Sequence, residues 1–295
     1  MRFGGHETFP IREGWLTKGL QLIDTDPALL DRHREAADAL GVGHNMAKAI
    51  RHWLLVTGLA ERPRRQAPLQ RSAFGDVVFE HDRYLIEPTT WWAIHANLVL
   101  RDEAAVTWSW FFNHFEHERF DRMTCVDQLA RYATARYSRT PSRNTLTRDV
   151  QCLLATYARP LPPPATEDPE EGRDSPLREL GLVTHYTESD TYRIHRGNRT
   201  VPAAALAYAF ARRFGAMDEA GAQASFPAVL AAAGGLGRIF ALSGEGLAAA
   251  IDAAEYELDG GLTTAMLGGE RVIHIAARAP EAWLAESLTA LGAAA

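Results

Sequence analysis

The segment from Asp26 to Gly58 constrains the fold more than any other part of the chain. Asp26-Pro27 pairs a capping residue with the residue best tolerated in a first helical turn. Leu29, Leu30, His33, Ala36, Ala37 and Leu40 then recur at helical spacing, and Gly41 stops the run. After Gly41-Val42-Gly43 a second run places Met46, Ile50, Trp53 and Leu54 on one face, with Lys48, Arg51 and His52 largely elsewhere. Two helices around a short glycine turn predict a helix-turn-helix. The basic tract Arg62 to Arg71 follows. Val77-Val78-Phe79 and Tyr84-Leu85-Ile86 then read as two short strands, so residues 27–86 are expected to form a winged helix.

Charge divides the chain in two. The formal net charge is −6, yet residues 28–75 hold eight cations against four acids and residues 119–159 eight against three. Residues 166–190 hold eight acids against two arginines, and residues 216–295 ten against three. A basic N-terminal half facing a polyanion and an acidic half facing another partner account for this asymmetry. Lys18 and Lys48 are the only lysines, which reflects a GC-rich genome as readily as a preference for arginine at phosphate.

Further along, Trp108, Phe111, Phe112 and Phe115 share a helical face and are expected in a core. Residues 124–157 repeat the helix, polar turn, helix theme, decorated by Arg131, Arg136, Arg139, Arg143 and Arg148. They fit either a second helix-turn-helix or a basic helical hairpin. Residues 160–175, rich in proline and acid, read as a linker. Strands are expected in 185–195, helices at 202–214, 226–234 and 244–257, and a hairpin around Gly268-Gly269. The expected organisation is an arm and winged helix (1–88), an aromatic and basic helical domain (89–160), a linker (161–176) and an acidic, winged-helix-like domain (177–295). The fold class is mainly α with small β-hairpins.

The sequence has no phosphate-binding GxxxxGK[ST] loop, no strand–GxGxxG–helix unit and no GxSxG elbow, so no nucleotide cofactor is expected. Cys125 and Cys152 cannot form a disulfide framework or a zinc cluster by themselves. With neither a signal peptide nor a membrane span in view, a cytoplasmic protein is expected. His114 and His117 would lie one turn apart on a helix, and His81-Asp82 with Glu87 offers carboxylates for Mg²⁺; solvated-face and turn roles account for both sets. His6, Glu7, Arg12 and Lys18 form either a phosphate or metal site or an arm packed by Phe3, Phe9 and Trp15. In the helix-turn-helix, His44, Asn45, Lys48, Arg51 and His52 are presented from the N-terminal part onward, the positions at which a recognition helix meets the major groove. Asn45 and Arg51 suit base edges, while Lys48 and the tract Arg62, Arg64, Arg65 and Arg71 suit phosphates of double-stranded DNA.

The stretches FGGHETFPIREGWLTKG, LGVGHNMAKAIRHWL, DRYLIEPTTWWAIH, NTLTRDVQCLLATY and SPLRELGLV resemble a bacterial domain family that includes the SspB-type components of DNA phosphorothioation and related phage-defence islands. The resemblance runs through nearly the whole chain and is best over residues 3–100. It implies a DNA-nicking protein acting with a cysteine desulfurase, an ATPase and a PAPS-reductase-like sulfur-transfer partner. It supplies no catalytic residues; residue type alone points to His6 or Glu7 as base or metal ligand, with Mg²⁺ or Mn²⁺ a candidate cofactor, and to Arg12 as the cation stabilising the phosphoryl oxygens. A winged helix often meets DNA as a two-fold dimer, so a homodimer is expected. The alternative is a non-enzymatic DNA-recognition adaptor that recruits the sulfur machinery.

Overall fold

The computed structural model describes residues 3–163, 175–215 and 221–294. Helix α1 (Trp15–Thr25) leads into a single 3-10 turn, Leu29–Asp31, and α2 (His33–Leu40) starts only after it. Asp26 therefore caps the turn, its Oδ1 accepting the Ala28 N–H at 3.1 Å, rather than a long helix. Gly41, at φ 65°, closes α2 in the left-handed conformation that costs glycine least. Helix α3 (His44–Val56) follows at the expected place and buries Ala47, Ile50, Trp53 and Leu54, but also His52, which packs inward instead of facing a groove.

The strands after it are not where the apolar pattern put them. Strands β1 (Ala60–Glu61) and β2 (Gln70–Arg71) pair antiparallel, Ala60 opposite Arg71, with the basic tract looping between them. Val77-Val78-Phe79, read as a strand, lies inside α4 (Ala73–His81). A short apolar run fits either structure; here Ser72 decides, its Oγ accepting the Gly75 N–H at 3.0 Å as a helix cap does. A Cβ on Gly75 would collide with the Leu59 carbonyl oxygen, so only glycine lets α4 pass the residue that leads into β1. Tyr84 and Ile86, read as strand, are exposed in a turn organised by buried Asp82. Its carboxylate accepts the N–H groups of Ile86 and Glu87 at 2.8 and 3.2 Å.

The chain forms two compact units, residues 1–76 with 101–195 and residues 77–100 with 196–295. These boundaries differ from the expected divisions at 88, 160 and 176. Helix α5 (Pro88–Leu100) belongs to the second unit. In the first, α6 (Val106–His114) buries the aromatic stripe: Trp108, Phe111, Phe112 and Phe115 are each at most 3% exposed. Since α6 ends at His114, His117 lies beyond the helix, and the two imidazoles are not one helical turn apart. Strand β3 (Arg119–Phe120), α7 (Arg122–Arg136), α8 (Arg143–Tyr157), β4 (Ala158–Leu161), β5 (Val183–Tyr186) and β6 (Thr191–Ile194) complete this unit. The sheet order is β3-β6-β5-β4, antiparallel except for β4 beside β5. The segment read as a linker is thus flanked by strands of one sheet, and its residues 164–174 lie outside the described ones.

In the second unit α5 is apolar all round, and every residue from Thr89 to Val99 is buried. A helix of that composition must be enclosed, and α9 (Ala203–Phe214), α11 (Leu236–Ile239) and α13 (Pro280–Ala294) pack on it. Strand β7 (Ala222–Ser225), α10 (Phe226–Ala231) and α12 (Gly244–Glu257) lie between these in sequence. Strands β8 (Leu262–Leu267) and β9 (Glu270–Ile275) turn through Gly268-Gly269 as expected, both glycines at positive φ, and β7 adds to β9. Among the described residues no helix is long and apolar enough to cross a membrane.

Within α5, fully buried His95 reaches the Ile239 carbonyl oxygen at 2.7 Å, so its Nε2 carries a proton and donates. Burial above all, helped by the nearby Arg199 charge and opposed by that hydrogen bond, pushes the imidazole down to about 3. The unfolded chain protonates this side chain near pH 6.5 and the folded one does not, so the stabilising contribution is complete above pH 6.5 and is lost as pH falls toward 3. Chemical denaturation across pH 7 to 4 is expected to show this loss, and His95→Gln should flatten it.

Candidate functional site

The exposed surface of the α2–α3 pair is cationic, but its cations are not equally available. His44 and Asn45 stand exposed at the start of α3, and Lys48 follows one turn later. The ring of His33 on α2 meets that of His44 edge-on at 6.0 Å. Burial pushes the His33 imidazole down, and the charges of Arg51, Lys48 and His44 lower it further. Arg51 and Arg62 both reach Asp31 Oδ1, at 2.9 and 2.6 Å. Burial alone would raise that carboxyl; hydrogen bonds from the two guanidiniums, with their charge, hold it below the usual range. Arg71 is held between Asp24 (2.6 Å) and Asp76 (2.8 Å). Arg64 and Arg65, at the exposed tip of the β1–β2 loop, make no ion pair among the described residues, and neither does Lys48.

The N-terminal arm packs between α3 and α8. Asp149, on α8 and 1% exposed, accepts three hydrogen bonds. Its Oδ1 takes the Gly4 N–H at 2.9 Å and His6 Nε2 at 3.0 Å, and its Oδ2 takes the Thr107 hydroxyl at 2.9 Å. On the other side of the ring, His6 Nδ1 accepts the Thr8 N–H at 3.0 Å. The imidazole is therefore the tautomer with its proton on Nε2. It is itself 1% exposed and lies between the rings of His52, Trp53 and Trp108, with centroids 5.8 to 6.3 Å away. Neither ring nitrogen is open to a water molecule or a metal ion in this arrangement.

The chain then reverses. Phe9 N–H returns to the His6 carbonyl at 2.8 Å, with Glu7 and Thr8 at φ 49° and 70°. Two successive non-glycine residues at positive φ, one of them β-branched, are costly and persist only where their surroundings impose them. The impositions are the His6 ring on one side and the Phe9 carbonyl on the other, which accepts from Trp53 Nε1 at 3.0 Å and from the Cys152 thiol at 3.3 Å. The turn presents Glu7 and Thr8 to solvent.

Of the residues expected to share a site, the structure sets His6 and Glu7 on one turn, with only Glu7 accessible. Arg12 lies over the Phe9 and Trp15 rings, 5.7 and 5.6 Å from their centroids. It lines an open cleft of about 560 Å³ beside the Gly41–Gly43 turn. Asp149 and Thr107 were not anticipated. A single acid within the apolar stripe Leu146, Val150 and Leu153 was the available signal, since a lone carboxylate on a buried face requires donors.

Matching against family profiles aligns residues 3–288 with the family described as "Protein of unknown function (DUF4007)". The chain belongs to the DUF4007 family. It has the fold of SspB: a magnesium-ion-bound SspB crystal structure superposes with a TM-score of 0.81 at 24% identity, over 98% of this chain and 87% of that one. A second SspB crystal structure gives 0.80 at 25% identity with the same coverage. No curated protein matches.

Replacing Asp149 by Asn removes the charge that collects these donors and cannot satisfy all three. Asp149→Asn is expected to cost about 1–3 kcal/mol in denaturant unfolding and to speed amide exchange at Gly4. Unchanged exchange at Gly4 would mean that the carboxylate does not hold the arm.

Proposed function

We propose that this protein is a DNA-binding, SspB-type component of a DNA phosphorothioation system that engages double-stranded DNA as a winged helix and nicks one strand. The observation that carries the DNA reading is the exposed cationic surface formed by the start of α3 and the β1–β2 loop. A recognition helix contacts base edges from its N-terminal turns, where His44 and Asn45 lie, while Lys48, Arg64 and Arg65 are placed for phosphates. Arg51, Arg62 and Arg71 would have to exchange a carboxylate for a phosphate, so their share of the affinity is smaller. Homology to SspB supports membership of the phosphorothioation machinery. The cysteine desulfurase, the ATPase and the PAPS-reductase-like protein are then its partners, and the acidic C-terminal half is the proposed surface for them, in a homodimer.

Nicking requires a water aligned on phosphorus and positive charge against the developing oxygens. Glu7 is the accessible carboxylate of the strained turn and is assigned to the water, with Arg12 as the stabilising cation and His6 as a positioning residue. One SspB structure holds a magnesium ion. Among the described residues no three His, Cys, Asp or Glu side chains are grouped to hold a metal. The residues present do not fit a protein-only magnesium cage, and no step here is assigned to one. That both His6 nitrogens are engaged is what favours the second reading, a DNA-recognition adaptor without catalysis.

Two measurements test these readings. Replacing Arg64 and Arg65 by Ala is expected to weaken duplex binding and to flatten the slope of log K against log salt by about one unit for each phosphate no longer neutralised. Replacing Arg62 should flatten it less, and an unchanged slope for Arg64 and Arg65 removes the loop from the interface. With supercoiled plasmid the wild type is expected to show conversion to open circles, and parallel arms with Mg²⁺, Mn²⁺ and EDTA report whether a metal carried in by the DNA phosphates takes part. Glu7→Gln should abolish that conversion while leaving binding intact. Binding without any conversion supports the adaptor.

A further inference from the structure

The α7–α8 hairpin carries a second concentration of positive charge, and its pattern differs from that of a generic solvated surface. Ser142 caps α8, its hydroxyl accepting the Thr145 N–H at 3.2 Å. The inward face of α8 supplies Leu146, Val150 and Leu153 to the core and Asp149 to the arm. The outward face exposes Asn144, Arg148 and Gln151, spaced four and three residues apart and so aligned along one stripe. Asn and Gln can pair with both edge atoms of adenine, and Arg with those of guanine; these are the side chains that read a major groove.

Around that stripe the cations are available. Arg131 on α7, Arg139 in the turn and Arg148 are exposed and make no ion pair among the described residues. Arg143 and Arg136 spend their charge on Asp127 (2.5 Å) and Asp102 (3.3 Å). The hairpin runs directly into β4, which pairs parallel with β5 in the four-stranded sheet, whereas α2–α3 is followed by the two-stranded pair β1–β2. The two helix pairs are coupled through the arm, because His6 touches the α3 rings of His52 and Trp53 while binding Asp149 of α8.

We infer that α8 is a second DNA-reading helix, with Asn144, Arg148 and Gln151 directed at base edges and Arg131 and Arg139 at phosphates of the same duplex that α3 engages. The inference rests on the DNA-binding reading above and extends the interface to a surface that reading does not use. Two independent base-reading helices lengthen the recognised sequence, so the protein would recognise a composite site.

The test uses the full-length protein and a mixed-sequence DNA duplex, with affinity measured across a salt series. All the substituted side chains are exposed, so an unchanged thermal midpoint is expected for each variant. Replacing Arg131, Arg139 and Arg148 by Ala should lower the log K against log salt slope by about one unit for every phosphate left without its arginine. Selection from a randomised duplex library should then enrich a shorter motif with Asn144→Ala/Gln151→Ala than with the wild type. A wild type that binds DNA with a slope and a motif that these changes leave untouched overturns this inference and leaves the α3 reading standing. Weakened binding confined to these α8 variants, with Lys48→Ala and the Arg64→Ala/Arg65→Ala pair silent, keeps α8 as a DNA-reading helix but overturns both the composite site and the assignment to α3. A wild type that does not bind the duplex overturns both.

Discussion

Asp149 is the group on which the first unit turns. A carboxylate taken out of water costs several kcal/mol unless donors replace the lost hydration. Here three donors come from two separate stretches of chain: the Gly4 N–H and the His6 ring of the arm, and the Thr107 hydroxyl of α6. Satisfying one buried charge therefore ties the N-terminal arm, α6 and α8 together. The hydrogen-bonding consequences spread outward from it. With His6 Nε2 occupied by the carboxylate, Nδ1 takes the Thr8 N–H, and the chain must reverse through two residues of unfavourable φ. The strain exposed at Glu7 and Thr8 is thus offset by electrostatics several ångströms inside.

The cationic surface is organised by the opposite device, acids that restrain arginines. Asp31, Asp24 and Asp76 hold Arg51, Arg62 and Arg71 in fixed places. Exposed pairs of this kind contribute little to stability, typically below about 1 kcal/mol. Their larger effect is to leave Lys48, Arg64 and Arg65 as the charges that a polyanion meets first. Net charge alone hides this sorting, because a restrained and an unrestrained arginine count equally toward it.

Periodicity disclosed whatever depends on one face of one element. The helix pair around Gly41–Gly43, the buried stripe Trp108, Phe111, Phe112 and Phe115, and the Gly268-Gly269 hairpin are all local patterns and were legible. The strands β1 and β2 span two residues each, too few to carry an alternation, while the β-branched and aromatic run Val77-Val78-Phe79 resembled a buried strand but lies inside a helix. Among the expected site residues, the exposure of His44, Asn45, Arg64 and Arg65 was readable, with Lys48 half-buried beside them. The state of His6 was not, because its partner lies 143 positions away and only the folded chain brings them together.

The discontinuity of the second unit has a consequence for synthesis of the chain. Helix α5 leaves the ribosome with Trp91, Trp92, Ile94, Leu98 and Val99 all destined for burial, but α9, α11 and α13 lie beyond residue 195. At a translation rate of about 5–20 residues per second, α5 waits on the order of ten seconds for its partners while the rest of the first unit is made. Throughout that interval an apolar helix with no polar side stands unpartnered. The nascent chain, rather than the finished protein, is where this architecture is most exposed to aggregation, and a chaperone able to shelter one helix would be sufficient to protect it.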